Sequence, residues 1–204
     1  MTDVLDPSPD GLTRAADILR LGGLVAFPTD TVYGVGVAWS RPDRLPAIFE
    51  LKRRSPEKRI PVLLADLGQA STSGFQPDHR AERLAARFWP GPLTLVLPGP
   101  DGSASVAFRA PNHAVALALI AAAGPLLATS ANVSGEPDTL GAEDVLVAFA
   151  TQRDLLDAVV DGGRVPGGVP STLLDLSVTP ARVLRDGPIS RAQLVPHVEL
   201  EGSS

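Results

Sequence analysis

A chain of 204 residues with 44% hydrophobic residues, 4% aromatics and no cysteine must build its core from aliphatic side chains, and it excludes disulfide frameworks, thiolate metal sites and a cysteine nucleophile. Its formal net charge of -5 argues against general affinity for nucleic acid or an anionic surface. The first ten residues lack a basic segment followed by an apolar run, and no apolar stretch is long enough to span a bilayer, so the expectation is a soluble cytoplasmic protein of one domain. Residues 1–10 are expected to be a flexible N-terminus, 11–197 the folded domain and 198–204 a flexible tail.

The apolar spacing of Leu12, Ala15, Ala16, Ile18 and Leu19 predicts a helix as far as Leu21, stopped by Gly22-Gly23. Leu24-Val25-Ala26-Phe27 is a continuous apolar run, the pattern of a strand buried on both faces. After Pro28, the segment Thr29-Asp30-Thr31-Val32-Tyr33-Gly34-Val35-Gly36 places two threonines, a carboxylate and the only tyrosine ahead of two glycines. It reads equally as a polar turn built on Asp30 or as a strand end presenting Thr29, Thr31 and Tyr33 to a ligand.

A second helix is predicted over Asp43 to Lys52, with Asp43 as N-cap and Pro46 in the first turn. It runs into Glu50 to Pro61, which holds both lysines of the chain, Lys52 and Lys58, with Arg53, Arg54 and Arg59. Opposed only by Glu57, these cations give Lys52 to Arg59 a charge of +4 and leave -9 for the rest. Cations gathered into so short a stretch suit a small polyanion. The helix macrodipole accounts for cations at Lys52 and Arg54 but not for Lys58 and Arg59, which lie beyond Pro56.

Ile60 to Ala65 reads as a strand, Gly68 to Gln76 as a loop and Asp78 to Phe88 as a helix. Trp89-Pro90-Gly91-Pro92 is a stiff turn before a strand whose one hydroxyl, Thr94, reads more simply as β-propensity than as a site. A loop at Pro100 to Ala104 precedes a strand from Ser105 to Arg109. The helix from Pro111 to Ala123 then carries His113 as an exposed first-turn residue. A strand from Pro125 to Ala128 delivers Thr129-Ser130-Ala131-Asn132-Val133-Ser134-Gly135, a second set of hydroxyls handed to a glycine turn. Two such deliveries in an α/β chain suggest a ligand at strand ends.

Gly141 to Phe149 and Asp154 to Ala158 are weaker helical patches. The loop Asp161 to Pro170 contains four glycines and reads as a mobile cover, yet it matches neither the P-loop nor the dinucleotide fingerprint. Ser171 to Leu176 and Arg182 to Leu184 read as closing strands, Arg185 to Pro188 as a turn, and a short helix follows from Ser190.

The succession Pro28-Thr-Asp-Thr-Val-Tyr-Gly34, Lys52-x-Arg54 with Lys58, Phe88-Trp-Pro-Gly-Pro-Leu-Thr94, Arg109-x-Pro-x-His113, Ser130-Ala-Asn132-x-Ser-Gly135, Ser171-Thr172 and Arg185 resembles the YrdC/Sua5 family of threonylcarbamoyl-AMP synthases over roughly Leu12 to Leu194. The resemblance implies an α/β fold, a single domain with a twisted mixed sheet, flanking helices and a concave basic cleft, of the short type over 11–197. It further implies condensation of L-threonine, bicarbonate and ATP to threonylcarbamoyl-AMP and pyrophosphate, with the product passed to tRNA threonylcarbamoyl-transfer proteins for t6A37 modification. Lys52 and Arg54 would be catalytic, and Lys52, Arg54, Lys58, Pro90, Ser130, Asn132 and Arg185 would bind ATP. Thr31, Tyr33, Thr94, Arg109 and Ser171 would bind threonine. Mg2+ would travel on the ATP phosphates without a dedicated protein metal site. Leu63 stands where relatives often have a histidine, and Asp138-Thr139-Leu140 replaces a Ser-Pro-Thr-like run. The alternative reading is a paralogue that binds double-stranded RNA or forms another carbamoyl-adenylate.

Overall fold

The computed structural model describes Thr2 to Gly202. In chain order the elements are β1 (Asp3–Leu5), α1 (Pro9–Arg20), β2 (Val25–Phe27), β3 (Gly34–Ala38), α2 (Leu45–Lys52), β4 (Val62–Leu63), α3 (Gly68–Thr72), α4 (His79–Phe88), β5 (Leu93–Leu97), β6 (Val106–Arg109), α5 (Ala114–Ala123), β7 (Leu126–Ser130), α6 (Ala142–Ala148), β8 (Ala158–Val160), β9 (Thr172–Asp175), β10 (Arg182–Arg185) and α7 (Arg191–Leu194). The expected α/β class with mixed strand pairing is present. The chain packs as two compact units interleaved in sequence, 1–60 with 113–168 and 61–112 with 169–204.

In the first unit the strand order is β1-β8-β2-β3-β7. Pairing is parallel from β1 to β8 to β2 and antiparallel from β2 to β3 to β7. All five residues of β3 are buried, and so are all three of β2 and of β8. Gly36 makes the β3–β7 pairing possible, because a Cβ there would lie 2.7 Å from the Leu127 carbonyl oxygen. Helix α1 begins where Ser8 caps the Gly11 N–H and Pro9 supplies a preset φ, and it buries Ala15, Ala16 and Leu19. It packs against α5, while α2 packs on β3 and α6 on β2 and β8. Phe27, Tyr33, Ile48 and Phe149 are fully buried here.

In the second unit the order is β4-β6-β5-β9-β10. Here β4 runs parallel to β6 and β5 parallel to β9, while the β5–β6 and β9–β10 pairs are antiparallel. Helix α4 starts at Asp78, whose carboxylate accepts the Arg80 and Ala81 N–H groups, and it buries Ala81, Leu84, Ala85 and Phe88. Phe75 meets Phe108 edge to face at 4.8 Å between ring centroids.

Several expectations are corrected. Within the lead expected to be flexible, Asp3–Leu5 form strand β1, paired with β8, and Pro9 and Asp10 open α1. In the tail 198–204, Val198 and Leu200 are buried and Leu200 bridges Ala181, while Ser203 and Ser204 lie outside the described residues. Asp43 does not cap α2: its carboxylate pairs with Arg41, inside a 3-10 turn that precedes the helix. The loop at 68–76 contains helix α3, and the patch at 154–158 resolves into a 3-10 turn leading to β8. The glycine pair 34 and 36 lies within β3 instead of in a turn.

Candidate functional site

The first polar cluster forms where β2 ends. Thr29 Oγ1 donates to the Val32 carbonyl at 2.7 Å, accepts the Thr31 N–H at 3.2 Å and lies 3.3 Å from Thr31 Oγ1. The turn is thus organised by a threonine. Tyr33, expected to touch threonine, is fully buried, and its phenol donates to the Gly163 carbonyl at 2.7 Å. Burial, reinforced by Asp161, pushes its pKa up, so the group is a neutral donor. The Gly-rich segment is therefore anchored at Gly163. It is held again at Val165, whose N–H donates to the Leu140 carbonyl at 2.8 Å.

Helix α2 ends at Arg53 in the left-handed region, φ 49°, so the chain turns sharply between Lys52 and Arg54 and sends their side chains into different surroundings. Lys52 is 1% exposed. Its ammonium donates to the Ser130 carbonyl, the Asn132 carbonyl and Asn132 Oδ1, and its own carbonyl accepts the Ser134 N–H at 2.9 Å. Burial first, then Arg54, lowers its pKa from 10.5 to about 8, with Asp138 pulling the other way. Lys52 was expected on a triphosphate as a catalytic cation. In this structure its three N–H donors meet three acceptors of this chain.

Arg54 differs. Its guanidinium donates to Thr129 Oγ1 at 3.4 Å and to the Arg59 carbonyl at 3.1 Å, and Nε is buried without a hydrogen-bond partner. Burial lowers its pKa, and no carboxylate forms an ion pair with it among the described residues. Lys58 is exposed. On the turn after β7, Ser130 Oγ donates to Asn132 Oδ1 at 2.7 Å and Asn132 Nδ2 donates to the Glu136 carbonyl at 2.7 Å. Of the residues assigned to ATP, the first unit thus joins Lys52, Ser130 and Asn132 in one network, with Arg54 beside Thr129 on the same strand.

The second unit holds the other cluster. Thr94 Oγ1 and Ser171 Oγ, both buried, lie 2.6 Å apart. Arg185 donates from Nε to the Ser171 carbonyl at 3.0 Å and from Nη2 to Ser171 Oγ at 3.2 Å. Burial and the neighbouring Arg109 both lower the Arg185 pKa, and Arg109 Nε donates to the Gly91 carbonyl at 3.1 Å. The turn at Gly187 packs directly on this strand, since a Cβ there would lie 2.4 Å from the Thr172 backbone nitrogen. Arg185, assigned by motif to ATP, is therefore joined to Thr94 and Ser171, which were assigned to threonine. Thr94 lies inside β5, so strand propensity and the paired hydroxyl are both present at this position. Pro90 is exposed and follows a cis peptide bond.

His113 caps α5 by position without a side-chain bond, and Nδ1 is buried and unpaired, so the expected exposed role does not hold. Burial lowers its pKa while Asp30 opposes the shift. Thr29 organises the turn after β2 and Thr129 accepts from Arg54, although neither was among the assigned ligands. Their sequence signal was adjacency to Thr31 and Ser130.

A family model described as "Telomere recombination", that of the Sua5/YciO/YrdC domain, matches residues 17–187. The chain is 38% identical to the threonylcarbamoyl-AMP synthase of Bacillus subtilis, covering 95% of this chain and 58% of that protein. It is 40% identical to the threonylcarbamoyl-AMP synthase of Pyrococcus abyssi, covering 85% of this chain and 53% of that one. The crystal structure of P. abyssi Sua5 complexed with L-threonine superposes with a TM-score of 0.85 at 33% identity, over 98% of this chain and 62% of that one. The chain therefore spans little more than half the length of these two curated relatives.

Proposed function

Because the chain belongs to the Sua5/YciO/YrdC family, we propose that it acts as an L-threonylcarbamoyladenylate synthase, a nucleotidyltransferase that condenses L-threonine, bicarbonate and ATP to threonylcarbamoyl-AMP and pyrophosphate. Bicarbonate gives CO2 and hydroxide, the threonine amine takes up the CO2 as a carbamate and loses a proton that makes the hydroxide water, one carbamate oxygen attacks the α-phosphorus, and the bond to pyrophosphate breaks. An anion must approach a polyanion. At an effective dielectric near 20, a unit charge pair at about 4 Å contributes about 4 kcal/mol, so a few placed cations govern whether the reactants meet.

The observation that carries this reading is Arg54. It is a half-buried guanidinium with one donor orphaned, held by a hydroxyl and a carbonyl rather than by a carboxylate. A donor left in that condition costs about 1–3 kcal/mol until an acceptor arrives, and phosphate oxygens supply acceptors and charge together. In this reading Arg54 and Lys58 meet the triphosphate, and Ser130 and Asn132 shape the nucleotide side. Thr31, Thr94, Arg109 and Ser171 serve threonine, and Arg185 is an anion-binding side chain joined to Ser171. Pro90 is kept as a nucleotide contact.

The proposal gives Mg2+ to the ATP phosphates, where a hard cation that keeps several waters is held by substrate oxygens. Transfer of the product to tRNA by threonylcarbamoyl-transfer proteins, and a cytoplasmic setting, belong to the same proposal. No helix among the described residues is long and apolar enough to cross a membrane.

The test is pyrophosphate release by the purified protein with threonine and bicarbonate supplied together and separately, with the product identified by mass. Release that requires both substrates supports the synthase. No release, or release that needs carbamoyl phosphate in place of bicarbonate, would overturn it.

A further inference from the structure

The chain contains only two lysines, and both lie in its basic stretch. Their surroundings are opposite: Lys58 is exposed and Lys52 is 1% exposed. Lys52 is tied to one turn from both ends of its residue. Its ammonium donates to the Ser130 carbonyl, the Asn132 carbonyl and Asn132 Oδ1, while its backbone carbonyl accepts the Ser134 N–H. An ammonium has three N–H donors, and three acceptors meet them. The same Asn132 Oδ1 also accepts Ser130 Oγ, and Asn132 Nδ2 is fixed by the Glu136 carbonyl. Two main-chain carbonyls aimed at one buried point would repel each other without a cation between them.

We infer that Lys52 is a positioning residue: its ammonium sets the backbone and the side chains of the 130–134 turn, and the cations that meet phosphate are Arg54 and Lys58. The part of this inference that concerns ATP rests on the synthase reading, whereas the part that concerns the turn does not. Adenylate synthesis then depends on Lys52 through the shape of the turn.

The two-lysine composition makes a test on the unaltered protein possible. An amine-acylating reagent is applied to the folded chain, and modification at each lysine is read by mass spectrometry, with and without ATP and Mg2+. Lys58 is expected to react at least about tenfold faster than Lys52, Lys52 to react only once urea unfolds the chain, and ATP to slow Lys58 alone. Reaction of Lys52 at a rate near that of Lys58, with protection by ATP, would overturn the inference. Failure of ATP to protect Lys58, with Lys52 still inert, would instead count against the nucleotide reading and leave the turn assignment supported.

A second measurement covers the case in which Lys52 swings toward ATP on binding. In Lys52→Met without nucleotide, the Ala131, Ser134 and Glu136 amides, bonded to the carbonyls of Tyr33, Lys52 and Val133, should exchange at least about tenfold faster than in the parent. The KM for ATP should rise about tenfold while that for threonine stays within about twofold. Unchanged exchange accompanied by lost ATP binding would identify a direct phosphate contact and sink the inference. A uniform fall in kcat with both KM values unchanged would point to a merely structural residue.

Discussion

The two polar clusters are built from similar materials and differ in what is left over. Around Lys52, every donor of a buried cation has an acceptor from the chain, mostly main-chain carbonyls. Around Ser171, a guanidinium leans on a hydroxyl pair and one carbonyl, with a second guanidinium near enough to lower its pKa. A closed network fixes the shape of a turn. In the second cluster, Arg185 meets only a hydroxyl and a carbonyl, and Arg54 in the first unit, with Nε unpartnered, belongs with that kind.

The sharpest way to break this contrast is Arg54→Ala. It should cut kcat/KM for adenylate formation by about a hundredfold or more, in the range found when one preorganised donor to developing charge is removed, with the unfolding midpoint unchanged. Coupled pyrophosphate release and a denaturant curve measure the two effects. Lys52→Met should behave in the reverse manner on stability, lowering the unfolding free energy by about 2 kcal/mol because buried carbonyls lose their partner. If both variants leave the midpoint alone, the distinction between the clusters fails.

In the second unit, Thr94→Val keeps the shape and removes one hydroxyl of the buried pair. The KM for threonine should rise about tenfold with the KM for ATP unchanged. Equal effects on both would show that the hydroxyl pair does not discriminate between substrates.

The smallest effect is in the pH dependence. Below about 8, folded Lys52 is protonated and donates to three acceptors; above it, a neutral amine offers two donors and one acceptor is left over. The KM for ATP should therefore climb as pH rises through 8. Stability should move the other way. Between about 8 and the ordinary 10.5, the unfolded chain binds the extra proton, so this group adds about 1 kcal/mol to unfolding free energy from pH 7 to 9. Lys52→Met should lose both trends, which makes the variant the control.

How much of this was legible depended on where the signal lay. Four consecutive apolar residues at 24–27 suffice to mark β2, because a strand buried on both faces needs nothing else. Strand β3 was hidden by its glycines. They are required by the close approach of Leu127, a fact about a strand some ninety residues away that no local window contains. The motif residues of both clusters could be named from the chain, but their bonding could not. Two of the acceptors of Lys52 are backbone carbonyls, which every residue carries, so they leave no mark in the amino-acid pattern. Arg185 fell beside Ser171 because of strand pairing and the turn at Gly187, which the order of motifs does not encode.

The interleaving of the two units bears on how the protein can be made. Synthesis proceeds from the N-terminus, yet the first unit is complete only when residue 168 has been added, after the whole of 61–112 has emerged. Until β9 is made, β5 lacks that partner, and one edge of a five-residue strand that the fold buries throughout stands unpaired on the nascent chain. The ribosome thus exposes a sticky edge for the length of 74 further residues, from Pro98 to Ser171, before its partner arrives.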